Sequence, residues 1–208
     1  EVLEYAYQVF PKLERVTTYG SAHFIALKSS AELSQLYSAG LTRIHSGMES
    51  GSSEVLELIN KGTTPDEIVE AGKKVKAAGI ELSEYYLVGI GGAELSSDHA
   101  VSSALVLSQI NPDFIRLRTF IPLSGTDLHQ DYQTGKFDLL SPHQALRETK
   151  LFIKNLENIN SQLLSDHISN YWDVSGQLPG EKQAMLQELE CALERKETEF
   201  RDPAAGRL

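Results

Sequence analysis

Cysteine is almost absent: Cys191 is the only one in 208 residues. A single thiol can form no internal disulfide and cannot by itself ligate an iron–sulfur cluster, and it fits a reducing, cytoplasmic setting. Long apolar runs are missing as well. No stretch approaches the roughly 20 residues that a membrane-spanning helix needs, and the opening residues do not read as a charged-then-apolar leader. Positive charge is in short supply, with 19 Lys and Arg against 29 Asp and Glu and a net charge of −10. A surface of that sign repels phosphate backbones and anionic lipid heads, which sets nucleic acid and membranes aside as first partners. The histidines (His23, His45, His99, His129, His143 and His167) include no pair at metal-ligand spacing.

What is present is an ordinary globular balance, 41% hydrophobic and 23% charged, which argues against disorder. The chain opens at Glu1 in what reads as helix interior, giving the expectation that it is an excerpt of a longer one. Strand-like and helix-like stretches then alternate. Arg15–Gly20, Thr42–Glu49, Ile80–Val88 and Phe114–Phe120 are rich in β-branched and aromatic residues and read as strands. Between them stand helix starts with a physical signature. Ser29 and Glu32 form a capping box, Thr64-Pro65-Asp66-Glu67 combines cap, first-turn proline and returning glutamate, and Ser141-Pro142 opens a long later helix. Strand starts about thirty residues apart match the length of a strand–helix–strand unit. The expectation is an α/β fold, a partial barrel of about four parallel strand–helix units over residues 1–135, followed by a helical extension over 136–208.

Parallel strands covered on both faces read as continuous apolar runs. These do not. Arg43, His45, Gly47 and Glu49 fall on one face of the second strand, with Ile44 and Met48 on the other. Glu81, Ser83 and Tyr85 alternate with Leu82 in the third strand, where Glu84 breaks the pattern, and Arg116 and Arg118 alternate with Ile115 and Leu117 in the fourth. Burying such groups dry and unpaired costs several kcal/mol each, on the order of 2–7 for an uncharged polar group alone. One face therefore meets water, a ligand or opposite charge, either in a polar barrel interior or through structural salt bridges. The arginines favour an anionic group on a small-molecule substrate.

Ligands of parallel α/β folds bind beyond the carboxyl ends of the strands. Three such ends stand out: Gly47-Met48-Glu49-Ser50-Gly51, Val88-Gly89-Ile90-Gly91-Gly92, and Ile121-Pro122-Leu123-Ser124-Gly125-Thr126. A glutamate ending a strand can accept hydrogen bonds from ribose hydroxyls or an ammonium group. The glycines let a planar group or a phosphate come close to the backbone. In this order, Leu41–Gly62, Thr64–Glu94 and Ile115–Thr126 resemble the second half of the radical S-adenosylmethionine barrel, in the branch that includes oxygen-independent coproporphyrinogen oxidase and the methylthiotransferases.

The resemblance implies that Glu49 contacts the cofactor ribose and Lys61 its methionine carboxylate, while Leu87, Gly89, Phe120 and Ile121 flank the adenine. Arg43, His45, Tyr85, Arg116 and Arg118 would line the substrate chamber. Some family members carry an acidic residue two positions before Leu87, where this chain has Tyr85. The family's three-cysteine loop for a 4Fe–4S cluster has no counterpart in these residues, so the implied activity belongs to a longer parent and the chain alone is expected to be inactive. Other readings are a closed-shell aldolase or isomerase barrel, against which the lack of a lysine on the polar strand faces counts, and a non-enzymatic scaffold that self-associates through its open strand edges. The cluster Ser165-Asp166-His167 with Asn170-Tyr171 reads as a polar loop network, and Cys191 as a surface thiol.

Overall fold

The computed structural model describes residues 1–202. Helix α1 (Val2–Val9) leads into β1 (Val16–Tyr19), followed by α2 (Ala22–Ala26) and α3 (Ser30–Ser38). Then come β2 (Leu41–Glu49), α4 (Ser53–Leu58), α5 (Pro65–Ala77), β3 (Glu81–Val88), α6 (Gly92–Ile110) and β4 (Phe114–Thr119). The chain continues through α7 (Asp127–Thr134), α8 (Pro142–Asn155), β5 (Gln162–Leu164), β6 (Gly176–Gln177) and α9 (Lys182–Leu193), with a short 3₁₀ turn at Glu197–Glu199. The expected capping boxes form: Ser29 with Glu32, Thr64 with Glu67, and Ser141 with Gln144 each exchange side-chain and backbone hydrogen bonds.

The strands stand side by side in chain order, β1-β2-β3-β4-β5-β6. The first five are parallel and β6 returns antiparallel. A doubly wound sheet reverses its strand order at a switch point; a sheet that only ever steps to the next strand through right-handed crossovers sends its helices to one side and curls as a barrel wall. The helices α2 and α3 touch α5, α5 touches α6, α6 touches α8 and α8 touches α9, forming a continuous outer layer.

Residues 136–208 are more than a helical extension. Their described part, up to residue 202, includes α8, which is the crossover between β4 and β5, and β5 adds a fifth parallel strand. Three residues, Gln162-Leu163-Leu164, are too few to carry a periodic signal, so the sheet continues inside the stretch expected as a helical extension. Asp113 ties the strand starts together: its carboxylate accepts from the Leu82 amide at 2.8 Å and pairs with Lys76, and its carbonyl accepts from the Gln162 amide at 2.9 Å.

The outer face of the sheet is the core. Ile44, Met48, Leu82, Tyr86, Ile115, Leu117 and Leu163 are buried there beneath the helices. Tyr86 is stacked between His99 of α6 and Phe152 of α8, with ring centroids 4.5 and 4.1 Å away. This apolar sandwich carries a polar network. Glu148 of α8 accepts from the Tyr86 hydroxyl at 3.0 Å, the Gly89 amide at 2.7 Å and the Ser96 hydroxyl at 2.6 Å. His99 Nε2 lies 3.1 Å from the Leu87 carbonyl and Nδ1 lies 2.8 Å from the Ser50 hydroxyl. Donation from Nε2 to the carbonyl leaves Nδ1 as acceptor, so a neutral imidazole fits both contacts. Burial holds His99 down to about 4, in keeping with that neutral form, and pushes Glu148 up to about 7 against its three hydrogen bonds.

Glu84, which breaks the strand alternation, belongs to the same outer face and is 1% exposed. It lies against Ser46 and the Met48 amide, beside an irregularity in the β2–β3 register, and its Oε2 has no hydrogen-bond partner among the described residues. Burial outweighs those neighbours and raises the carboxyl from 4.5 to about 8.

Two outcomes follow from this arrangement. A Cβ at Gly51 would lie 2.6 Å from the Ser102 carbonyl oxygen and 2.7 Å from Ser103 Cα, so Gly51→Ala should cost about 1–3 kcal/mol. An unchanged urea midpoint would mean that the turn after β2 does not rest on α6. Glu84 keeps a proton in the folded chain that the unfolded chain releases, so stability should drain as pH rises from 4.5 through about 8. Glu84→Gln should flatten that decline in denaturation curves taken at pH 6 and pH 9, and a decline identical to the parent's would contradict it.

Candidate functional site

The carboxyl end of β2 is held in an unusual shape. Glu49 sits at φ 61, a left-handed conformation that a non-glycine residue adopts at a cost of about 1–3 kcal/mol. The Ser50 amide closes back on the Met48 carbonyl at 2.8 Å, and the Glu49 side chain folds over Gly47. A Cβ at Gly47 would stand 2.4 Å from Glu49 Oε1, so the glycine makes room for the carboxylate. Lys61, just past α4, reaches it at 3.4 Å, and both side chains are a quarter exposed. A contact of that length with that exposure is a weak pair that water and ligands can enter.

Beside it, a cavity of about 730 Å³ opens where β3 and β4 end, lined by Leu87, Arg118, Phe120 and Ile121 together with Ile59 and Asn60 from the end of α4. Three of the residues assigned to the adenine from sequence thus share one cavity, while Glu49 and Lys61 lie outside its lining. Gly89, at φ 82, does not line it either. Its amide is already donated to Glu148, so what Gly89 contributes is the turn. Phe120 is braced edge-on by Phe137, with centroids 5.8 Å apart.

The inner face of the sheet carries the expected polar residues. Arg43, though on this face, is 8% exposed and committed: it pairs with Glu81 at 2.8 Å and lies 4.0 Å over the Phe114 ring. For Arg43 the structural salt bridge is what the structure shows. His45, Tyr85, Arg116 and Arg118 have no such neutralisation. His45 stands between Tyr19, 5.3 Å away, and Tyr85, 6.1 Å away. Burial first, then the charges of Arg116, Arg43 and Arg15, lowers its pKa. The Arg118 guanidinium lies 5.0 Å over the Tyr85 ring and donates to His167 Nε2 at 2.9 Å. His45 Nδ1, Ser83 Oγ and Arg116 Nε are buried without a hydrogen-bond partner among the described residues.

The polar loop after β5 is a satisfied network, and it does more than close on itself. Asn170 donates to the Leu117 and Ser165 carbonyls at 2.8 and 3.0 Å, and accepts from Thr119 Oγ1 at 3.1 Å. The Ser169 hydroxyl accepts from the Thr119 amide at 3.2 Å, which fixes the end of β4 and brings His167 to Arg118. The sequence gives no local sign of that contact, which joins residues 49 positions apart. Glu148 was legible in principle: it is the one acid among Ala145, Leu146, Thr149, Phe152 and Ile153 on the buried face of α8.

Cys191 is exposed on α9, and no group of three or more His, Cys, Asp or Glu among the described residues is arranged to hold a metal ion. These residues do not fit a cysteine-bound cluster. No helix among the described residues is long and apolar enough to cross a membrane.

No family model matches the chain. Over 119 residues it is 23% identical to a tRNA uridine(34) acetyltransferase of Methanocaldococcus infernus, a match covering 57% of this chain and 22% of that protein. Among solved structures, the archaeal Methanocaldococcus infernus Elp3 lacking its N-terminus superposes with a TM-score of 0.62 at 17% identity, over 87% of this chain and 42% of that one. Coproporphyrinogen III oxidase from Escherichia coli, a radical SAM enzyme, superposes with a TM-score of 0.52 at 17% identity, over 68% of this chain and 32% of that one. The chain spans less than half the length of each. In fold it is similar to part of each of these two structures.

Proposed function

We propose that this chain forms the substrate-facing half, and part of the cofactor-facing half, of a radical S-adenosylmethionine enzyme that acts on a small organic molecule in the cytoplasm. The observation that carries the reading is the cavity of about 730 Å³ at the ends of β3 and β4. Its apolar wall of Leu87, Phe120 and Ile121 suits a planar base, as ligand cavities that are mostly apolar with a few aimed polar groups do. Glu49 would accept from the ribose hydroxyls, and its left-handed backbone points to a carboxylate held in place at some cost in stability. Lys61 would leave Glu49 for the methionine carboxylate, an exchange made easy by their 3.4 Å contact.

The cofactor, when bound, supplies the radical chemistry; the residues of this chain bind and orient it and exclude water. A 4Fe–4S cluster would be held outside the described residues, and the chain by itself is then inactive. Glu148 and His99 hold the Gly89 amide and the Leu87 carbonyl from behind, so the cavity wall is preorganised without touching the ligand. No lysine stands on the inner face of β2, β3 or β4, which leaves the closed-shell aldolase reading without a Schiff-base nucleophile.

Titration of isotope-labelled protein with S-adenosylmethionine, and separately with 5′-deoxyadenosine, tests this by nuclear magnetic resonance. Saturable shifts at Leu87, Phe120 and Ile121 are expected for both ligands, with Lys61 responding only to the one that carries a carboxylate. Glu49→Ala should weaken both ligands about tenfold, as loss of about 1.4 kcal/mol of charge-assisted hydrogen bonding would. Absence of saturable shifts at these positions, or shifts centred elsewhere, would sink the proposal.

A further inference from the structure

We propose that the inner face of the sheet is a binding site for a dianionic group, a phosphate or a pair of carboxylates, gripped by Arg116 and Arg118 within electrostatic reach of His45. This deepens the functional reading by naming the substrate class, and it rests on the inner face being where the substrate lies. It begins from an imbalance of charge. The chain as a whole carries −10, yet its inner sheet face carries cations without counter-ions. Arg43 is matched by Glu81, and Lys61 by Glu49. Arg116 and Arg118 form no ion pair among the described residues, although eight carboxylates elsewhere pair with lysine or arginine.

The contacts that Arg118 does make are to uncharged groups, the His167 imidazole and the Tyr85 ring. Burial first, then Arg118 itself, lowers the pKa of His167. Arg116 Nε is buried without a partner. The side chain as a whole is only half-buried, so an anion arriving from the open side would supply both the missing acceptor and the missing counter-charge.

The unpartnered polar atoms share one face of the sheet. His45 of β2 is in register with Ser83 of β3, and Tyr85 of β3 with Arg116 of β4. His45 Nδ1, Ser83 Oγ and Arg116 Nε are thus unpartnered atoms on three adjacent strands of one face. Arg116 and Arg118 are separated by one residue, about 6.6 Å along the strand. Two planar guanidinium forks at that spacing can each grip an oxygen pair of a phosphate or of two carboxylates. The groups facing His45 are Arg15 before β1, Tyr19 of β1, Arg43 of its own strand, Tyr85 of β3 and Arg116 of β4. No carboxylate acts on it, and burial together with the arginine charges lowers its pKa. A dianion reverses that field, raises the affinity of His45 for a proton, and couples anion binding to proton uptake.

The test follows the imidazole resonances of His45 during titration with sulfate, inorganic phosphate and succinate at constant ionic strength set by sodium chloride. Sulfate stays doubly charged between pH 6 and pH 8, so any change in its affinity over that range reports on the protein. Expected are saturable shifts, a raised His45 pKa in the bound state, and sulfate affinity that strengthens several-fold from pH 8 to pH 6. The double variant Arg116→Gln, Arg118→Gln should lose at least tenfold in affinity, and His45→Gln should keep binding while losing its pH dependence. A preference for phosphate over succinate assigns a phosphate ester, and the reverse a dicarboxylate. The proposal is overturned if no dianion binds more tightly than chloride, or if the double variant binds as the parent does. Should that variant not fold, a pH-independent parent affinity for sulfate overturns it instead. The nucleoside response at Leu87, Phe120 and Ile121 is read separately, so failure of the anion site and failure of the cofactor reading are distinguishable.

Discussion

A parallel strand has two faces, and in this chain only one of them is covered by helices. The constraint is topological. Every strand from β2 to β5 lies beside the one before it in parallel, and the helices that connect them pack against one another in one layer. Ile44, Met48, Leu82, Tyr86, Ile115 and Leu117 satisfy that side with apolar surface. The other side receives the alternate residues of the same strands, and there the sequence supplies arginine, histidine, tyrosine and serine. Such groups are stable in a protein interior only against water, partners or a ligand.

Function is then arranged by what holds the strand ends. Glu148 and His99 reach through the outer layer to the Gly89 amide, the Leu87 carbonyl and the Ser50 hydroxyl, so the rims of β2 and β3 are fixed from the helix side. The loop carrying Ser169 and Asn170 does the same for β4. The Glu148 and His99 tethers come from the helix side, whereas the loop with His167 and Ser169 borders the cavity and reaches Arg118. The backbone of Glu49 is bent into the left-handed region at the rim, as is that of Asn60 in the cavity lining.

The amino-acid sequence makes one part of this plain. The alternation of Arg43, His45 and Glu49 with Ile44 and Met48, and of Arg116 and Arg118 with Ile115 and Leu117, separates the two faces by residue pattern alone. Capping boxes fix the starts of α3, α5 and α8, because caps are short-range chemistry written in consecutive residues. What sequence cannot carry is long-range pairing. The short β5, the contact of His167 with Arg118 and the descent of Glu148 onto the Gly89 amide join residues about fifty positions apart, with no periodic or local signal. Glu84 interrupts the alternation because it is a buried carboxyl kept protonated, an outcome set by three-dimensional burial. Arg43 matches the pattern of a lumen residue and is nonetheless consumed by Glu81 across the strand pair.

The central claim is that successive residues of β4 live in opposite environments, one sealed beneath helices and the next open to small molecules. Thiol reactivity measures this directly. With Cys191, which is exposed, replaced by serine, Arg116→Cys and Arg118→Cys should react with a small charged thiol reagent at least tenfold faster than Ile115→Cys and Leu117→Cys in the folded protein. Equal rates along the four positions, or faster labelling at 115 and 117, would contradict the account.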